Sequence, residues 1–277
     1  MGLLELFVTA CVPVLNMLLV TGVGSFLASD FASILTKEAR KHLNNLVFYV
    51  FNPSLIATYL AKTITMESLG ELWFMPVNIL LSSILGLFFG WILIKVTRAP
   101  AKLKGLILGC CSAVNLLGWL QIVGLILGAT PLLKKSLIGA NAPLRALQES
   151  AELIGGAAVP AVTLIMGGNL LKGVRGKASV QPSVIAGIVA VRYVLLPLLG
   201  PAVVKGAAHL RLIQPDPLYQ FILLLQYAVP PAMNIGTMTQ LFGVGESECA
   251  VIFVWAYALA SAAVTAWSAF FLWTLSP

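Results

Sequence analysis

Leu223-Leu224-Leu225-Gln226-Tyr227-Ala228-Val229-Pro230-Pro231-Ala232-Met233-Asn234-Ile235-Gly236 is the stretch whose reading decides the fold. It lies midway along an apolar segment of about 218–242, yet it carries two adjacent prolines, two side-chain amides and a glycine. Each proline removes a backbone donor and clashes with the carbonyl four residues earlier, so the pair predicts a helix opened for about one turn. In lipid, the freed carbonyls need protein or a water-filled cavity as partner. Discontinuous helices near the bilayer midplane are how many secondary transporters build a solute site. A plain proline kink without a ligand is the simpler alternative.

Composition makes the membrane reading firm. Of 277 residues, 59% are hydrophobic and 10% charged, with a mean hydropathy of +0.97; a soluble domain has about a quarter charged residues. Apolar runs of about 20 residues exclude an outer-membrane barrel. The fold class expected is therefore an all-α polytopic membrane protein. About eight segments can be read, near 6–28, 43–61, 72–94, 105–129, 153–171, 183–204, 218–242 and 249–274. The first lacks a basic leader and a small-residue cleavage site, and is expected to be a retained helix.

The net charge of +7 does not form a stripe for nucleic acid, because its residues cluster between apolar runs. Lys37, Arg40 and Lys41, then Lys95, Arg98, Lys102 and Lys104, then Lys172, Arg175 and Lys177 fall in odd-numbered connections. The positive-inside rule makes that side cytoplasmic and puts both termini on the exoplasmic or lumenal side. The connection with Glu246 and Glu248 is the exception.

Several residues stand out within the apolar runs. Gly22 and Gly24 in segment one would let a neighbour approach closely, and segment five is rich in small residues, with Gly155, Gly156, Gly167 and Gly168. Asn52-Pro53 is expected to interrupt segment two. A weak internal echo pairs Asn115 with Asn234, and Pro53 with Pro160. Asn234 and Gln226 can hydrogen-bond a carboxylate or an indole N–H, helped by backbone donors opened after Pro231. They can equally glue helices together, at about 0.6 kcal/mol each. A mid-membrane Arg192 is a functional hypothesis by default, with pairing to freed carbonyls as the structural alternative. Cys11, Cys110, Cys111 and Cys249 read as buried thiols. No carboxylate lies deep in an apolar run, and no catalytic or metal-binding motif occurs. No enzyme activity, metal or cofactor is therefore expected.

The sequence resembles the plant PIN-LIKES family, relatives of the PIN auxin efflux carriers. The resemblance is carried by Asn52-Pro53-Ser54-Leu55, Leu60-Ala61-Lys62-Thr63-Ile64-Thr65, Leu106-Ile107-Leu108-Gly109-Cys110-Cys111-Ser112-Ala113 and Ala142-Pro143-Leu144-Arg145. It continues through Leu164-Ile165-Met166-Gly167-Gly168-Asn169-Leu170, Val191-Arg192-Tyr193, Leu218-Tyr219-Gln220-Phe221, Tyr227-Ala228-Val229-Pro230-Pro231-Ala232-Met233 and Gly245-Glu246-Ser247-Glu248-Cys249.

The resemblance implies a ten-helix fold of two inverted repeats whose broken fourth and ninth helices cross at the substrate site. It also implies residence in the endoplasmic reticulum membrane and carriage of auxin, an indole carboxylate, without ATP. This chain passes from Ala113 almost directly to Leu125-Ile126-Leu127-Gly128, which resembles the end of the sixth helix. Two crossings are thus missing, leaving an incomplete N-terminal repeat at 1–118 and a C-terminal repeat at 119–277. The expected substrate-binding residues are Pro230, Pro231, Asn234, Gln226, Asn115 and Asn52, with Pro53 and Arg192 structural. The alternative is a truncated, non-transporting isoform that pairs with itself or with full-length relatives through the glycines of segment five.

Overall fold

The computed structural model describes residues 3–63, 70, 72–112, 143–175 and 180–275. Its described residues form helices and no strands. They are α1 (Leu3–Leu27), α2 (Lys37–Leu46), α3 (Asn52–Thr63), α4 (Phe74–Thr97), α5 (Ala101–Cys111) and α6 (Arg145–Gly156). There follow α7 (Ala158–Arg175), α8 (Pro182–Ala190), α9 (Leu196–His209), α10 (Pro217–Ala228), α11 (Asn234–Phe242) and α12 (Glu246–Leu275). Among the described residues, four stretches, Phe74–Thr97, Arg145–Leu171, Pro182–His209 and Glu246–Leu275, are long and apolar enough to cross a bilayer. Segment four beyond Ser112, including Asn115, lies outside the described residues.

Lipid is as apolar as leucine, so hydrophobicity alone does not decide which helix face turns inward; small and polar residues do. In α4, Asn78, Ser82, Ser83, Gly86 and Gly90 are buried. Leu80, Ile84, Phe88 and Trp91 on the same helix face outward. The protein interior is therefore the more polar side of this helix.

Helix α7 sits at the centre, against α1, α2, α11 and α12. Glycines set its spacing from α1: a Cβ on Gly24 would lie 2.3 Å from the Leu164 carbonyl oxygen, and one on Gly167 would lie 2.1 Å from that of Thr21. The Ser25 hydroxyl donates across the seam to the Gly167 carbonyl at 2.8 Å. Gly155 likewise admits the backbone of Leu55. Three of the glycines considered for association with other chains, Gly155, Gly167 and Gly168, are thus used inside this one. Gly22, by contrast, faces open space. Gly24→Ala should therefore destabilise by about 1–3 kcal/mol, the usual cost of overpacking, whereas Gly22→Ala should be neutral or mildly stabilising. Thermal midpoints of the two purified variants check this.

The expected interruption at Asn52-Pro53 takes another form. The chain stays helical from Lys37 to Thr63 but widens into a π-helical turn at Val47–Phe51, closed by the Asn52 N–H on the Val47 carbonyl. The same device recurs at Val191–Leu195, closed by Leu196 on Val191. Both turns share one spacing, Val47-x-Tyr49-Val50-x-x-Pro53 and Val191-x-Tyr193-Val194-x-x-Pro197. A wider turn relieves the clash of each proline ring with the preceding turn, so the helix bulges instead of breaking. Pro197 leaves the Tyr193 carbonyl without its helical donor, and the Trp267 indole N–H fills it at 2.7 Å. Trp267 is thus a structural residue, while Trp255 and Trp273 are exposed. Pro160 has a different setting, in the first turn of α7 after a bend at Ala157, so the proposed echo with Pro53 is not a shared geometry.

The order of contacts fixes which ends lie together. Lys62 pairs with Glu152 at 2.6 Å at one end. Arg40 packs beside Gly168 at the other. Segments two and five therefore run antiparallel, as the charge pattern predicts.

Candidate functional site

The double-proline stretch breaks the helix. α10 ends at Ala228, Val229 is extended with ψ 150°, and α11 starts at Asn234. The Pro231 carbonyl released by the break accepts the Tyr257 hydroxyl at 2.7 Å. At the other side of the gap, Ile235 and Gly236 close a first turn onto the Ala232 and Met233 carbonyls.

A helix end lies against it. α5 stops at Cys111, and Ser112 is extended with φ −93° and ψ 156°. The last carbonyls of a helix need outside donors, and here those of Leu108, Gly109, Cys110 and Ser112 have one. Leu108 accepts the Ser112 N–H at 2.9 Å, and Gly109 accepts the Ser112 hydroxyl in a long contact of 3.5 Å. Arg192 supplies the other two, Nε to the Cys110 carbonyl and Nη2 to the Ser112 carbonyl, both at 2.8 Å. The guanidinium is buried, in the π-helical turn, at 2% exposure. Its charge also complements the negative end of the α5 dipole. Gly86 of α4 closes on the Cys111 carbonyl, and a Cβ on Gly109 would lie 3.6–3.8 Å from the Ile235 side chain. The end of α5 and the start of α11 therefore meet beside the double-proline break.

Beside the start of α11 lies a cavity of about 280 Å³, lined by Asn52, Leu55, Ile56, Val162, Met233 and Asn234 among others. This is at the lower edge of the usual range for small-molecule sites, about 300–1,000 Å³. The walls are mainly aliphatic, and the two amides touch: Asn52 Nδ2 donates to Asn234 Oδ1 at 3.4 Å. A larger cavity of about 550 Å³, lined by Trp73, Arg211, Gln214 and Gln220, sits at helix ends, away from the double-proline break and the end of α5.

The profile of the membrane transport protein family matches residues 9–120 and 118–268. Protein PIN-LIKES 1 of Arabidopsis thaliana is 40% identical, over all of this chain and 81% of that protein. Protein PIN-LIKES 3 is 39% identical over 99% of both chains, and Protein PIN-LIKES 4 is 35% identical over the full length of both. The chain belongs to the PIN-LIKES family of membrane transport proteins. The family is one of transporters, not enzymes. The alignment with PIN-LIKES 1 runs 385 positions, 108 more than the 277 residues of this chain, so the chain is shorter than its relative. No solved structure matches it.

Within this PIN-LIKES chain the residues singled out from sequence fall into three places. Asn52 and Asn234 meet at the cavity's edge, with Pro53 following the π-helical turn that presents Asn52, whereas Pro230 and Pro231 form the break but do not line the cavity, which takes only Met233 from the gap. Gln226 lies elsewhere: Asn78 Nδ2 donates to Gln226 Oε1 at 2.7 Å and to the Leu223 carbonyl at 3.0 Å. Tyr227 donates in turn to Asn78 Oδ1 at 3.0 Å. This knot ties α4 to α10 and does not line the cavity. Asn115 is outside the described residues.

Sequence reasoning missed Asn78 and Tyr257. The signal for Asn78 was a lone amide in the first turns of an apolar helix; for Tyr257 there was none, since its partner is a proline carbonyl 26 residues earlier. Tyr257→Phe should cost about 1–2 kcal/mol by leaving the Pro231 carbonyl without a donor. A thermal midpoint that does not move would show that water replaces the hydroxyl. Cys110, Cys111 and Cys249 are free and buried, as expected.

Proposed function

We propose that this protein carries auxin, an indole carboxylate such as indole-3-acetate, across an intracellular membrane by secondary transport. The observation that supports the reading is the break between α10 and α11, met by the end of α5, beside an apolar cavity edged by Asn52 and Asn234. The aliphatic wall suits an indole ring. The amides offer donors to a carboxylate, and the positive end of the α11 dipole favours its charge. Residence in the endoplasmic reticulum membrane, and regulation of auxin homeostasis and signalling there, rest on the family resemblance. Lipid and the indole carboxylate are the partners this reading needs; it uses no nucleic acid and no cofactor.

The test is accumulation of labelled indole-3-acetate in microsomes from cells expressing the chain. Uptake above that of vector microsomes, saturable by unlabelled auxin, supports the reading; equality with vector ends it for this form.

A second reading is favoured by length. With 108 alignment positions unmatched and the family profile matching in two stretches that meet at 118–120, two helices are proposed to be absent between an N-terminal unit, 1–118, and a C-terminal unit, 119–277. A form so shortened would act by pairing with full-length relatives. It predicts no uptake alone and altered uptake by a co-expressed relative. The use of Gly155, Gly167 and Gly168 inside the chain weighs against those residues as the pairing surface.

A further inference from the structure

Between the cavity and the basic end of the bundle lies a second polar layer. Thr237 and Gln240 follow Asn234 along α11, so the layer starts about one turn below the cavity and ends about 9 Å from Asn234 along the helix. Asn44 faces it from α2 and Asn169 from α7; Arg40 lies one turn before Asn44 on α2 and packs against Gly168, the neighbour of Asn169. Asn44 Nδ2 donates to the Thr237 carbonyl at 3.1 Å, and Asn169 Nδ2 to Gln240 Oε1 at 3.4 Å. Arg40 Nη1 donates to the Leu35 carbonyl at 2.8 Å. All five side chains are more than nine-tenths buried.

The layer is nevertheless unsatisfied. Among the described residues, Arg40 Nε, Asn44 Oδ1, Asn169 Oδ1 and Thr237 Oγ1 have no hydrogen-bond partner. Turning the Asn44 amide over would set its oxygen against the Thr237 carbonyl, so its orphan does not arise from amide orientation. The described ion pairs are Lys62–Glu152 and Arg145–Glu149, and neither involves Arg40. Glu246 acts on Arg40 through space without an ion-pair contact. Unpaired buried polar atoms are costly, and a buried unpaired charge more so. The orphans are of both kinds, donor and acceptor, and include a guanidinium. A bare cation would satisfy the amide oxygens but be repelled by Arg40. Water around an anion satisfies all of them.

We propose that Arg40, Asn44, Asn169, Thr237 and Gln240 form a hydrated anion subsite, distinct from the Asn52–Asn234 cavity, where a small carboxylate rests on Arg40 on its way between the basic face and the cavity. The choice of a carboxylate rests on the auxin-carrier reading; the anion preference itself does not. The subsite is closed in this conformation and fills when α2, α7 and α11 part.

The test uses the full chain in phosphatidylcholine vesicles with Thr237→Cys, and Gln240→Cys as a second probe, over the background of the parent's own thiols. A small sulfonate methanethiosulfonate and a trimethylammonium one of similar size are compared. The anionic reagent should react at least about tenfold faster, the scale on which a buried charge concentrates counter-ions. The preference should vanish in Arg40→Gln and survive in Arg40→Lys. Equal rates with both reagents, a preference that persists in Arg40→Gln, or no labelling of either cysteine would each overturn the subsite. Indole-3-acetate should slow the anionic reagent if auxin is the cargo. Anion preference without such protection keeps the subsite and refutes the auxin reading instead.

Discussion

Arg192→Met is expected to lower the thermal midpoint of the detergent-solubilised protein more than any other single change considered. It removes the donors to the Cys110 and Ser112 carbonyls, both at 2.8 Å, from a side chain that is 2% exposed. Two buried acceptors left unpaired cost roughly 2–5 kcal/mol, partly offset because the buried charge goes too. That translates to a fall of roughly 5–15 °C. Arg192→Lys should lie between the two, since an ammonium keeps the charge but not the fork that reaches both carbonyls. If Arg192→Met melts like the parent but no longer transports, the arginine meets the cargo, and its assignment to the end of α5 is wrong.

The other large effect is expected at the cavity, and on transport instead of stability. Asn234→Ala and Asn52→Ala should each reduce labelled auxin uptake at least about tenfold, the scale of losing one well-placed polar contact to an anion. Each should cost the fold only about 0.6 kcal/mol, typical of an interhelical hydrogen bond in a membrane. Asn234→Asp should abolish uptake, because a carboxylate accepts but does not donate and repels an anionic cargo. Combining Asn52→Ala with Asn234→Ala separates direct contact from mutual support. If the double variant loses no more than either single one, the two amides act as one unit. Full uptake in Asn234→Ala would place the cargo elsewhere.

Arg192 also shows how far reading along the chain can go. A buried arginine in an apolar run announces a partner. The identity of that partner depends on α5 ending against the π-helical turn, 82 residues away from Arg192 in sequence at Cys110. Gln226 makes the converse point. It neighbours the helix break in sequence, yet helical rotation turns it to Asn78 on α4 instead of the cavity.

By itself, the sequence determined those features that depend on covalent chemistry or on counting. Prolines without an N–H forced the gap at 229–233, apolar length required membrane helices, and the alternation of charged connections matched the ends that Lys62–Glu152 and Arg40–Gly168 bring together. Only the tertiary structure decided which orphaned carbonyl met which donor, which glycines carried a close approach, and whether a proline broke its helix or widened it into a π turn. The physical reason is that a membrane interior penalises every unpaired backbone group. That penalty guarantees a partner for each one, but the choice of partner rests on helix positions that no local stretch of residues encodes.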